Sequence, residues 1–192
     1  MNRPIALLLT VALLASPLML GGCGQGTQAD NALSAGNAQL VEYNKLDAEV
    51  SAQLAQAASV QPTAEGVKQG LALLDQIDAA MPRRTDAARK AKADFQQIGT
   101  LNVAPKSKSY ATQAVALTDA LLALDAGTVQ LTKNMRSLYT LVAKNSPNAV
   151  LVQKTADSVD AGQQKLDRLR RRVKSLSDAA QSYYQQNLAG KK

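Results

Sequence analysis

The chain has 192 residues, with 22 Lys and Arg against 15 Asp and Glu, a formal charge of +7, and neither histidine nor tryptophan. The lack of histidine removes the imidazole base, the histidine-based triad and the usual zinc ligand from consideration. The single cysteine, Cys23, excludes an internal disulfide. An Ala-, Leu-, Gln- and Lys-rich composition favours helix, and the length suits one domain held by helix packing.

At the N-terminus, Asn2-Arg3 is a small positive segment, followed by an apolar run from Ile5 to Leu20. That run is shorter than the ~18 residues a membrane span needs, and Pro17 and Gly21-Gly22 interrupt its end. It closes on Leu20-Gly21-Gly22-Cys23. This sequence resembles the lipobox of bacterial lipoproteins: a branched apolar residue, two small residues, then cysteine. The resemblance implies removal of residues 1–22 as a lipoprotein signal peptide, and acylation of Cys23 on its sulfur and its new α-amino group. Loss of Arg3 would leave 21 basic residues against 15 acids, a charge of +6. Buried acyl chains contribute ~0.8 kcal/mol per CH₂, so several anchor a protein effectively for good. By the family's sorting rule, Gly24 in place of aspartate implies an outer membrane facing the periplasm in a Gram-negative cell. Otherwise the outer face of the plasma membrane is implied.

Residues 23–32 read as the lipidated cysteine and a small, polar, flexible tether, residues 33–188 as the folded part, and residues 189–192 as a basic tail. The first helical segment is expected over roughly 31–59, capped by Asp30 or Asn31, with Leu33, Leu40, Tyr43, Leu46, Val50 and Leu54 on one face. Pro62 breaks it and Thr63 can cap the next. The second spans roughly 63–98, with Val67, Leu74, Ile77, Met81, Phe95 and Ile98 on a stripe and a kink expected at Pro82. A loop ending at Pro105 leads to the third, roughly 106–145. There Tyr110, Ala114, Leu117, Leu121, Leu124, Thr128, Leu131, Met135, Leu138 and Val142 recur in steps of four and three. The fourth, roughly 148–188, follows Asn145-Ser146-Pro147 and places Val152, Thr155, Val159, Gly162, Leu166, Leu169, Val173, Leu176, Ala180 and Tyr183 on its stripe.

Sustained 3-4 spacing means knobs-into-holes packing between nearly antiparallel helices, and short connections make sequential helices antiparallel. The expected fold is all-α, an elongated up-down-up-down four-helix bundle with coiled-coil-like packing. Two hairpins closing a core only as a dimer would give the same pattern. An even number of antiparallel helices brings both termini, Lys106, Lys108 and Lys191-Lys192 to one end. The nearly uncharged Ser59–Thr63 and Asn145–Asn148 turns fall at the other.

Two basic belts cross the rod. Arg83, Arg84, Arg89, Lys90 and Lys92 flank Pro82. Lys165, Arg168, Arg170, Arg171, Arg172 and Lys174 form the denser one, with Asp167 its one acid, and are the candidate site for an anionic partner. The paired-surface alternative sets Asp119 and Asp125 level with Arg168, Arg171 and Arg172 across the third and fourth helices. The carboxylate pairs Asp75/Asp78 and Asp157/Asp160 have the spacing of ordinary polar helix faces, and Tyr183-Tyr184 reads as core plus rim. No nucleophile elbow or phosphate loop is present, so no catalytic residue, metal or cofactor is expected. The sequence reads as a lipid-anchored, non-enzymatic interaction or accessory module of the cell envelope, meeting an envelope protein. The alternative is a structural lipoprotein that binds anionic polymer or lipid through the belts. An envelope location excludes nucleic acid as a partner.

Overall fold

Four helices account for nearly all of residues 24–189, the part of the chain that the computed structural model describes: α1 (Gln25–Ala58), α2 (Ala64–Thr100), α3 (Pro105–Ala143) and α4 (Ala149–Asn187). The signal peptide, acylation at Cys23 and the Gly190-Lys191-Lys192 end of the basic tail lie outside the described residues. Each helix packs antiparallel on its sequential neighbour, giving the all-α, up-down-up-down bundle. The ends are fixed by side-chain contacts. The backbone N–H of Asn102 in the α2–α3 loop donates to Gln25 Oε1 at 2.7 Å, and Leu188 lies beside Ala29, Leu33, Ile98 and Tyr110 around a small hollow. Both described termini and the α2–α3 loop therefore share one end, the base. At the opposite end the Tyr139 hydroxyl donates to the Ala57 carbonyl.

Local chemistry explains most of the boundaries. Thr63 Oγ1 accepts the Gly66 N–H at 3.1 Å, which caps α2. Pro105 opens α3, where its missing N–H costs nothing. Asn148 Oδ1 accepts the Leu151 N–H at 2.9 Å and caps α4. The α1 start differs from the expected tether. Neither Asp30 nor Asn31 is the cap, and the helix begins at Gln25, directly after Gly24. Residues 25–32 are drawn into the helix because Ala29 and Ala32 are buried, so these two turns belong to the core. The α2 helix runs continuously through Pro82 to Thr100, although Pro82 withholds one helical hydrogen bond.

The core is layered along the rod. Near the base, a Cβ on Gly36 would meet the Phe95 ring at 2.8 Å. Phe95 meets Tyr110 edge-on at 6.4 Å, and Tyr110 meets Tyr184 at 5.6 Å, so one layer takes a residue from each helix. Near the far end, Gly70 plays the same part under Tyr139. Between these layers Leu40, Val50, Leu74, Ile77, Leu117, Leu124 and Val173 are sealed from solvent, each such side chain contributing about 1.5–3 kcal/mol on burial. The α3 helix is long and apolar enough to cross a membrane, with mean hydropathy 1.3 over its best window. It packs between α2 and α4, and its apolar stripe is spent on those contacts.

The first and last helices each have one backbone neighbour: α1 comes within 8 Å of α2 only, and α4 of α3 only. No described side chain of α4 is buried before Val159, so Val152 and Thr155 do not join the core as their spacing suggests. Part of the reason is length: α1 ends at Ala58, level with Tyr139, and the first turn of α4 projects beyond it. Val150 and Leu151 are left exposed there, at 79% and 43%. Lower down, Ser177 and Tyr184 take the most buried positions, and Leu176 and Tyr183, half-buried, pack against the core beside them.

Candidate functional site

A closed ion cluster sits at mid-height in the bundle. Arg84, on α2 two residues after Pro82, is 1% exposed. Its Nε and Nη2 both reach Asp125 Oδ1, at 2.8 and 2.7 Å. Its Nη1 donates to Asp47 Oδ1 at 2.8 Å, and Nη2 also donates to Thr128 Oγ1 at 3.1 Å. Asp125 Oδ1 further accepts the Tyr43 hydroxyl at 2.8 Å, while Oδ2 accepts Thr85 Oγ1 at 2.7 Å. The guanidinium carbon lies 5.4 Å from the centroid of the Tyr43 ring, within cation–π reach. Side chains of α1, α2 and α3 thus converge on one guanidinium.

The sequence reading set Arg84 in a surface belt and Asp125 opposite the α4 arginines. Both placements are corrected. Buried charges persist only when paired and hydrogen-bonded, and three helices supply the partners. The cluster's sequence signal was weak: Tyr43 and Asp47 at i and i+4 on the α1 stripe, and Asp125 beside Leu124 and Thr128 on that of α3.

The cluster holds two carboxylates for one guanidinium. Burial pushes the Asp47 carboxyl above its ordinary value, and Arg84 and then Arg170 pull it back down. Burial also raises the Tyr43 hydroxyl well above its usual range, against the opposing pull of Arg84. For Arg84, burial favours loss of the proton, and Tyr43, Asp125 and Asp47 together outweigh it, so its pKa stands above ordinary. Arg170, half-buried on α4, donates from Nη2 to Ser51 Oγ of α1 at 3.1 Å. It bridges two helices whose backbones do not approach within 8 Å.

The remaining belt residues divide. Lys174 pairs with Asp178 one turn on, at 2.7 Å. Lys165, Arg168, Arg171 and Arg172 are exposed, and no ion pair joins them to any described residue. The aspartates expected to neutralise them are engaged elsewhere: Asp119 with Lys92 at 2.7 Å, Asp125 in the core. The α2 belt, by contrast, is largely paired. Arg83 meets Glu42 at 3.1 Å and Lys90 meets Asp86 at 2.8 Å.

The carboxylate pairs behave as surface. Asp75 and Asp78 both bind Arg136 at 2.8 Å, and Asp157 accepts from Gln153 at 2.8 Å. Tyr184 is core and Tyr183 half-buried. Lys106 and Lys108 stand at the base, at the start of α3. No group of three or more potential metal ligands occurs among the described residues. The hollow at the base is water-sized, at ≈ 10 Å³, and Ser107, whose buried Oγ has no partner among the described residues, lines it. No family model, curated protein or solved structure matches the chain.

Proposed function

We propose that the protein is a lipid-anchored, non-enzymatic envelope lipoprotein that serves as an interaction or accessory module for another envelope protein. The observation that carries the reading is the bundle's polarity. The described chain begins at the base, the end that carries Lys106 and Lys108, whereas Val150 and Leu151 are exposed at the opposite end. An anchor at Cys23, two residues before α1, sets the base against the bilayer and points that apolar end away from it. Lysines near an anionic leaflet contribute about 1 kcal/mol each. The lack of histidine and the use of the one cysteine for lipid support a non-catalytic role.

Two experiments test this. Metabolic labelling with palmitate is expected to mark the wild-type chain and not Cys23→Ala. Cross-linking in intact cells, followed by affinity purification, is expected to recover one envelope protein in near-stoichiometric amount, and Val150→Asp with Leu151→Asp is expected to lose it. Recovery of the chain alone, with lipid or glycan, rejects the module. It would favour the second reading, anionic polymer or lipid held by the unpaired cations of α4, which is released steeply as salt rises.

A further inference from the structure

We infer that the outer face shared by α3 and α4 docks an acidic helical segment of a partner protein; this rests on the interaction-module reading and names the partner's chemistry. The register of the two helices is fixed by Leu166 and Leu169 against Gly127, and by Asn134 Nδ2 donating to the Ser158 carbonyl at 3.0 Å. In that register Lys165, Arg168 and Arg172 recur at three and four residues along one outer strip of α4, with Arg171 beside them. The neighbouring edge of α3 carries Ala123 and Gln130, both exposed.

The charge here is uncompensated. Asp119 is the nearest acid of α3, and Lys92 on α2 holds it. Asp125 is sealed in the core with Arg84, which leaves Asp167 as the one acid within the α4 belt.

The shape of the patch selects its occupant. Lys165 to Arg172 spans about 10 Å along the helix, and exposed alanines, Ala161 and Ala179, bound it at either end. A polymer with charge along its whole length is better met by a longer track. A short acidic helix matches: carboxylates at three- and four-residue spacing share the pitch of the cations. Guanidinium groups grip carboxylates in a bidentate fork, and the exposed Ala123 on the α3 edge leaves room for a second helix beside the cations. Lipid headgroups at the base do not reach the strip. Arg172 lies 15 residues before the end of α4, about 22 Å up an upright rod, and Debye screening at physiological salt acts over about 8 Å.

The test is site-specific photo-cross-linking in intact cells with the full chain, the probe residue placed at Ala123 in one strain and at Val150 in another. The expected result is a cross-link from Ala123 to a partner peptide bearing Asp or Glu at three- and four-residue spacing. Its yield should fall several-fold with Arg168→Gln, Arg171→Gln and Arg172→Gln combined, a variant whose thermal unfolding should match the wild type. A cross-link from Ala123 to glycan or lipid, no cross-link there, or a yield indifferent to the triple substitution overturns the inference. Capture from Val150 with Ala123 silent removes the acidic-helix strip and keeps the interaction module; silence at both positions removes both.

Discussion

One oxygen of Asp125, Oδ1, receives both the Nε and the Nη2 of Arg84, at 2.8 and 2.7 Å, inside a core where each residue is no more than 3% exposed. A pair this deep is weak evidence of net stability, because removing two charges from water costs as much as their attraction returns. It is strong evidence of interdependence. Arg84→Met would leave Asp47 and Asp125 buried without their cation, and a loss of about 3–5 kcal/mol is expected. Replacing all three with apolar residues of similar volume should recover most of that loss. Denaturant unfolding of the single and triple variants measures both, and a triple variant as unstable as the single would show that the cluster itself supplies net stability.

Asp47 gives the cluster a pH dependence with a definite sign. Burial, opposed by Arg84 and Arg170, holds its folded carboxyl above the ordinary 3.8. The folded state therefore binds this proton more tightly than the unfolded chain does. As pH falls through the folded pKa toward 3.8, this group's contribution to stability rises, and below 3.8 it is constant. Carbon-detected NMR of the Asp47 carboxyl should show the elevated midpoint. Asp47→Asn should flatten this part of the stability profile, and a midpoint at or below 3.8 would contradict it.

Gly36 allows α1 to lie directly on the Phe95 ring, where an added Cβ would stand 2.8 Å from ring carbons. Alanine gains up to about 1 kcal/mol in helix propensity at such a position. Here overpacking, typically 1–3 kcal/mol, is expected to exceed that gain. Phe95 is fully buried and stacked edge-on against Tyr110, which leaves the ring little room to move aside. Gly36→Ala should lower the melting temperature, and Gly36→Ala with Phe95→Leu should recover part of the loss. Gly99→Ala, where nothing lies within 4 Å, is the control that should not destabilise.

Much of this fold is legible in the sequence because helix packing writes itself into local spacing. The stripe from Tyr110 to Met135 is buried almost as its 4-3 rhythm implies, and the Thr63 cap and the Pro105 start follow from single residues. What escaped is what depends on azimuth. Counting back from the α3–α4 turn gives the height of Asp125 but not the side of α3 it occupies, so it was matched with arginines on the wrong neighbour. Arg84 stands in the charged run Arg83-Arg84, which reads as surface; its burial is decided by Asp47 and Asp125, 37 and 41 residues away. The α1 start was missed because Gly26 and Ala29 look like tether until α2 and α3 lie beside them.

Arg170 belongs to the basic belt by sequence and to the ion cluster by structure, and substitution should separate the two roles. Its guanidinium reaches Ser51 at 3.1 Å and lowers the pKa of Asp47, whereas Arg168, Arg171 and Arg172 face solvent. Arg170→Gln removes the bridge from α4 to α1 and a cation near a carboxylate already short of positive charge. The Asp47 midpoint should rise further, and the chain should lose stability by about 1 kcal/mol, the scale of one hydrogen bond with a screened charge added. Glutamine at Arg168, Arg171 and Arg172 should leave the Asp47 midpoint in place and change stability by less than about 0.5 kcal/mol, as for ordinary surface sites. NMR titration of Asp47 alongside thermal unfolding reads both quantities in each variant. An Asp47 midpoint indifferent to Arg170→Gln would show that Arg170 contributes nothing to the buried charge balance, leaving Arg84 as its one effective cation.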